Sequence, residues 1–204
     1  VSRSPLRVPW KDLEPGPSEL SGDAARYVAK VHRLGPGAVV ALFDPSTADE
    51  APATITSIGR GTVSIVVGQV ARGQITRGRS ITVLQSLAKG DKMDAIVRDA
   101  TELGATRVAP VIAERSVAQK KSDAAVERWR RIAIEAARQC GRADVPRIDT
   151  PRPLHEVVSE GEGLKIVLVP EAEASFGKLV AAHSADQAVT ILVGPEGGLE
   201  DAEV

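Results

Sequence analysis

From Ile81 onward the chain alternates short apolar runs with amphipathic ones, and this alternation limits the possible folds more than any other feature. Ile81–Leu87 reads as a strand, and Met93, Ile96, Val97, Ala100 and Leu103 then recur at helical spacing over 91–103, ended by Gly104. Strand Arg107–Ile112 follows, and its Pro110 predicts an edge position or a bulge. A long helix over about 123–140 sets Trp129, Ile132, Ala133, Ala136, Ala137 and Cys140 on one stripe, which makes Cys140 a packed thiol. A short helix near 153–159, strand Leu164–Val169, a helix near 175–183 and strand Val189–Val193 complete the pattern. Alternation of this kind predicts an α/β domain whose parallel sheet is covered on both faces. Because chains avoid threading, the default topology is an open doubly wound sheet.

Residues 1–76 follow other rules. Ser21-Gly22-Asp23 precedes a helix over Ala24–Val31, and Leu34-Gly35-Pro36-Gly37 stops it. Strands Ala38–Phe43, Ala53–Ile58 and Thr62–Val67 are separated by the turn chemistry of Asp44-Pro45-Ser46 and Gly59-Arg60-Gly61. Short strands divided in this way suit a small β-barrel, and the polar segment Arg72–Gly78 is the natural boundary between domains 1–76 and 77–204.

The last predicted strand runs into Val193-Gly194-Pro195-Glu196-Gly197-Gly198, a small-residue turn where α/β proteins hold ligands. Its G-x-x-G-G spacing lacks the Gly-x-Gly of a dinucleotide fingerprint, and no Lys-Ser or Lys-Thr follows to hold phosphates. Glu200, Asp201 and Glu203 come next, placed for the first turn of a helix, where three carboxylates suit the dipole and repel a polyphosphate. Two readings stand: a loop for a ligand of little negative charge, or a strand-to-helix turn that binds nothing.

Charge is unevenly spread beneath a net of −1. Lys plus Arg against Asp plus Glu is eight to seven over 1–76, fifteen to ten over 77–150 and three to ten over 151–204, so a polyanion would meet the middle segment. Five aromatic residues are too few for a sheet of base-stacking platforms. A single cysteine and three histidines without ligand spacing exclude an intrachain disulfide and argue against a metal site. No apolar run approaches the roughly 20 residues of a membrane span, and Val1–Pro5 lacks an apolar signal core, so a cytoplasmic protein is expected.

Five separated segments carry a specific resemblance. They are Lys89–Asp94, Ala100–Gly104, Val111–Val117, Glu127–Arg142 and Val193–Gly198, in this order. Together they resemble the 16S ribosomal RNA uridine N3-methyltransferases of the SPOUT superfamily, the RsmE family, closely over about 80–204 and more loosely before. The resemblance implies a PUA-like RNA-binding barrel over 1–76 and a trefoil-knotted methyltransferase domain over 77–204. It also implies S-adenosylmethionine as methyl donor, 16S rRNA of the small subunit as substrate, and a homodimer. A family segment of the form Gly-x-x-Ile-Leu-Arg-x-Glu-Thr-Ala, which completes the knot and closes over the adenine, is expected tens of residues later. The domain is therefore expected to lack its knot-completing part. A non-catalytic ribosome-assembly factor and a SPOUT enzyme acting on tRNA are the alternative functions.

Carried onto this sequence, the cofactor loops are Leu168-Val169-Pro170-Glu171 and Val193-Gly194-Pro195-Glu196-Gly197-Gly198. N3 of uridine must lose its proton before it can accept a methyl group, so a cation near the uracil carbonyls and a base are wanted. Arg115, at a predicted strand end, is the candidate cation, with a solvated loop arginine as the alternative. Glu196 is the candidate base or the residue that orders the loop. Arg128, Arg131, Arg138 and Arg142 form a basic face for RNA or simply a soluble helix surface. Lys89, Lys92, His32 and Arg33 are further RNA candidates, while Trp129 belongs to the apolar stripe.

Overall fold

The computed structural model describes residues 5–75, 78–116, 122–170, 172 and 174–203. It divides into two compact units, Val1–Thr76 with Ala137–Val145, and Arg77–Ala136 with Pro146–Val204.

The first unit opens with strands β1 (Leu6–Pro9) and β2 (Gly16–Leu20), then helix α1 (Gly22–Arg26), which continues as a π-helical turn over Tyr27–Val31. Strands β3 (Val39–Phe43), β4 (Asp49–Ile58), β5 (Val63–Val67) and β6 (Ala71–Arg72) follow. They form one sheet in the order β1-β3-β4-β5-β2, with β6 on β4, and every pairing is antiparallel except β1 with β3. Strand alternation makes the core: Ala51, Ala53 and Ile55 of β4 turn inward with Val40, Leu42, Ile65 and Val28 of the helix. The Asp44 turn closes β3 onto β4. Asp44 is 2% exposed, and its carboxylate accepts from the amides of Asp12 (2.9 Å) and Ser46 (2.8 Å) and from the Ser46 hydroxyl (2.5 Å). Burial raises its pKa, but the hydrogen bonds from Ser46, Asp12 and Thr47 outweigh it and hold the carboxyl below the usual range.

The late segment of this unit is pinned by polar contacts. Arg138 lies 4.5 Å over the Tyr27 ring and donates to its hydroxyl, Ala143 N–H donates to Gln74 O (2.7 Å), and Arg7 Nη2 donates to Arg142 O (2.9 Å). Cys140 is exposed rather than packed. It is the last helical residue, and the chain turns away at Gly141 (φ 85°), so the apolar stripe loses its cover there.

The second unit alternates as the sequence predicts. It comprises β7 (Ile81–Ser86), α2 (Lys92–Glu102), β8 (Arg107–Ile112), α3 (Asp123–Cys140), β9 (Arg147–Ile148), β10 (Arg152–Pro153) and α4 (Leu154–Val157). A 3-10 turn over Val158–Glu160, β11 (Leu164–Leu168), α5 (Phe176–Ala181), β12 (Val189–Val193) and a 3-10 turn over Asp201–Glu203 follow. The sheet is wholly parallel, in the order β10-β8-β7-β12-β11 with β9 beside β8. Leu84, Ala109, Val111, Leu154, Val157 and Leu192 form a core on one face, with Val167 and Leu199 packed against it.

Two expectations are corrected here. Pro110 sits in an interior strand without a bulge: β8 pairs with β7 on one side and with β9 and β10 on the other. Arg147 and Asp149 donate to the carbonyls of Thr106 and Val108, so the alternate residue Pro110 faces that same side. Its missing N–H falls in the gap between β9, which ends opposite Val108, and β10, which begins opposite Val111. Leu103 is 84% exposed although its N–H still donates to Asp99 O, because the buried face of α2 runs along Met93, Val97 and Thr101 and Leu103 lies to one side of it. Thr101 takes the buried place, its hydroxyl donating to Val97 O (2.7 Å). The acidic segment after Gly198 forms a 3-10 turn over Asp201–Glu203.

Candidate functional site

Parallel strands deliver their following loops to one edge of the sheet, and here four of those loops carry the chemistry. The loop after β12 is the glycine turn, and together with the end of β11 it bounds a cleft of ≈ 830 Å³. Leu168, Val169, Pro170, Val193, Gly194, Pro195, Glu196, Gly197, Gly198 and Leu199 line it, joined by Arg115 from the loop after β8 and by Asp201. The two loops marked as cofactor loops in the sequence thus face one space; Glu171 lies outside the described residues. An adjoining hollow of ≈ 810 Å³ shares Leu168, Val169 and Pro170 and extends along β11 to Phe176 and Leu179 of α5.

Ion pairs hold the glycine turn from both sides. Lys92, in the first turn of α2, donates from Nζ to Glu196 Oε1 at 2.7 Å. Arg115 donates from Nε to Glu200 Oε1 (2.8 Å) and from Nη1 to Gly197 O (3.3 Å). Glu203 joins the two loops directly, one oxygen accepting from Glu114 N–H and the other from Glu200 N–H, both at 2.9 Å. The carboxylates of Glu200 and Glu203 therefore clamp loop to loop, and the bond from Glu200 N–H to Glu203 is also one that a helix start makes. Gly194 permits the same closure, because Leu199 folds over it: a Cβ there would meet Leu199 Cγ at 2.9 Å.

The candidate catalytic pair has a definite setting. Arg115 lines the cleft with its side chain 51% exposed, and Glu200 matches its charge. Glu196 is half-exposed, and the Lys92 ammonium holds its carboxyl below the usual carboxylate range. A depressed pKa makes Glu196 a poor base and suits the loop-ordering role.

The basic face divides. Arg131 is exposed, with no ion pair among the described residues. Arg128 is exposed and bonded to Asp94, with Asp91 at 3.7 Å. Arg138 is committed to Tyr27. Arg142 is 7% exposed and paired with Asp144 at 2.7 Å, so it is a structural residue and not a surface contact. Helical spacing alone could not separate these, because Arg142 lies past the end of the helix. Lys89, His32 and Arg33 are exposed, and the His32 ring packs edge-on to Tyr27 at 4.5 Å.

Sequence reasoning read Glu203 only as a helix-start carboxylate and missed Gln85 and Ser86. The last two are buried polar residues ending β7, and Ser86 Oγ has no hydrogen-bond partner among the described residues. The signal was present as a Gln-Ser pair at the carboxyl end of an otherwise apolar strand.

The lining suits a ligand that is cationic and free of phosphate. Apolar side chains and glycine backbone supply neutral walls, Asp201 supplies a carboxylate, and Arg115 and Glu196 are already matched, by Glu200 and Lys92. S-adenosylmethionine, with a sulfonium, an ammonium and an adenosine, fits that donor set.

Comparison with known proteins defines the class first. Residues 76–204 match the RNA methyltransferase domain family, and residues 20–68 match the RNA methyltransferase PUA domain family. The ribosomal RNA small subunit methyltransferase E of Bacillus subtilis is 28% identical over 98% of this chain and 82% of its own length. That of Mycobacterium bovis is 31% identical over 91% and 72%. Among solved structures, a putative methyltransferase of Legionella pneumophila in complex with S-adenosylmethionine superposes with a TM-score of 0.84 at 28% identity, covering 98% of this chain and 83% of its own. The Neisseria gonorrhoeae ribosomal RNA small subunit methyltransferase E bound to the same cofactor gives 0.85 at 25% identity, with the same coverage. The chain belongs to the ribosomal RNA small subunit methyltransferase E family.

Proposed function

We propose that this protein methylates N3 of a uridine in 16S rRNA of the small ribosomal subunit. The methyl donor is S-adenosylmethionine, which supplies an electrophilic methyl group on a positively charged sulfur. The observation that carries the reading is the cleft between the ends of β11 and β12, where both predicted cofactor loops and two carboxylates converge. In the transfer, the S–CH3 bond breaks as the N3–CH3 bond forms, sulfur keeps the electron pair, and the N3 proton passes to solvent.

The chain's own residues divide the work. The Leu168–Pro170 segment and the glycine turn hold the donor between apolar walls. Glu203 and the Arg115–Glu200 pair fix the loops after β8 and β12 to each other. Arg115, on the cleft wall, stabilises negative charge on a uracil carbonyl if the base enters there. Arg131, Lys89 and, in the first unit, Arg33 contact RNA phosphates. We assign the knotted SPOUT topology to the second unit, a closed PUA-like barrel to the first, a homodimeric state and a cytoplasmic location on the strength of the family.

The test is mass spectrometry of 16S rRNA from a strain lacking the gene. One N3-methyluridine should vanish and return on complementation. Persistence of the mark, or labelled methyl transfer to tRNA alone by the purified protein, overturns the proposal.

A further inference from the structure

The glycine-turn cleft carries a carboxylate whose charge is cancelled by a residue outside the cleft. Glu196 lines the cleft, and its partner is Lys92 at 2.7 Å, which does not. The side chains are 62% and 48% exposed for Lys92 and Glu196, so solvent screens the pair and a stronger anion can displace the carboxylate. The other charges on the cleft wall are Arg115, matched by Glu200, and Asp201, a second carboxylate. The net negative charge of the cleft therefore depends on whether Lys92 is engaged by Glu196. Lys89, three residues before Lys92, is also exposed and adds positive charge just before α2.

We propose that the Lys92–Glu196 pair is an electrostatic switch through which RNA phosphate raises the affinity of the cleft for a sulfonium ligand. RNA phosphate takes Lys92, Glu196 is left with its charge uncompensated on the cleft wall, and a positively charged donor gains where a neutral thioether does not. Coupling of this kind is reciprocal, so the donor tightens RNA in the same proportion. Methyl transfer removes the sulfonium charge, so the product, S-adenosylhomocysteine, loses the coupling and RNA no longer favours its retention. The inference rests on the donor-site reading above and adds to it an order of events: RNA and donor favour each other, RNA and product do not.

Isothermal titration of S-adenosylmethionine and S-adenosylhomocysteine tests it with wild type, Lys92→Met, Glu196→Gln and the double variant, each checked for an unchanged melting temperature. Lys92→Met should tighten the sulfonium ligand about threefold and leave the thioether within about 1.5-fold, the range open to an exposed pair. Glu196→Gln should weaken the sulfonium ligand and abolish the effect of Lys92→Met. Deproteinised small-subunit rRNA should reproduce the Lys92→Met effect in wild type and have no effect on the donor affinity of that variant. An unchanged ratio of the two affinities in Lys92→Met, or rRNA that leaves the donor affinity of wild type unaltered, overturns the switch. A wild type that binds neither ligand overturns the donor-site reading itself, and the switch with it.

Discussion

Substituting alanine for the glycines of the turn separates close approach from backbone conformation. At Gly194 the new Cβ would stand 2.9 Å from Leu199 Cγ and 3.5 Å from both of its methyl groups. Leu199 packs against the Leu84–Leu192 core, so it cannot turn aside without giving up that packing. Overpacking of this size costs about 1–3 kcal/mol. At Gly198 the added Cβ meets nothing nearer than Arg115 Nη1 at 4.0 Å, but φ is +76°, and a side chain there costs about 1–2 kcal/mol. At Gly197 neither constraint operates: its nearest neighbour, Arg115 Cβ at 3.5 Å, is an ordinary contact, and the change should stay within about 0.5 kcal/mol. Urea unfolding followed by circular dichroism gives the stabilities, and titration of S-adenosylmethionine gives the affinities. We expect Gly194→Ala to weaken the cofactor about tenfold, and Gly194→Ala with Leu199→Ala to cost less than the sum of the two single changes, because the two side chains compete for one space. Equal costs at all three glycines, or a Gly197→Ala variant worse than Gly194→Ala, would refute the reasoning.

Three further outcomes follow from the polar contacts. Asp44 has a depressed pKa, so the stability it contributes is present above its unfolded value of about 3.9 and is lost as pH falls through the folded value. Asp44→Asn should cost about 1–2 kcal/mol at neutral pH and flatten the acid limb of the stability profile, read from urea midpoints across the acid range. Arg142→Ala should lower stability by about 2–4 kcal/mol through loss of a buried pair, whereas Arg131→Ala should leave stability unchanged and weaken RNA binding in filter assays. Glu203→Gln replaces one of two acceptors with a donor, so the amide resonances of Glu114 and Glu200 should both move, and cofactor affinity should fall a few-fold by titration. If only one of those amides shifts, the bridging role of Glu203 is wrong.

Much of the second unit was legible because periodicity and burial obey the same geometry. The strand at Val189–Val193 and the long helix at Asp123–Cys140 lie where the apolar spacing places them. Leu103 broke the pattern because the buried face of α2 runs along Met93, Val97 and Thr101, and Cys140 because the stripe outlasts its cover at the end of α3. Pro110 broke it differently. Its missing donor signalled an edge, and the structure accommodates it in the interior by interrupting the neighbouring strand. The basic face was readable as charge but not as function, since nothing local distinguishes the buried Arg142 from the exposed Arg131.

Sequence alone determined the alternation of strand and helix, the glycine turn at the end of the last strand, and the exclusion of a phosphate-binding loop. These depend on residue type and short-range spacing. Only the tertiary structure decided which residues join the two cofactor loops at the cleft and which charges oppose each other there. Lys92 and Glu196 are 104 positions apart, and Glu114 and Glu203 are 89. No local rule relates residues at such distances: the parallel sheet brings them together by setting the ends of β8, β11 and β12 and the start of α2 along one edge.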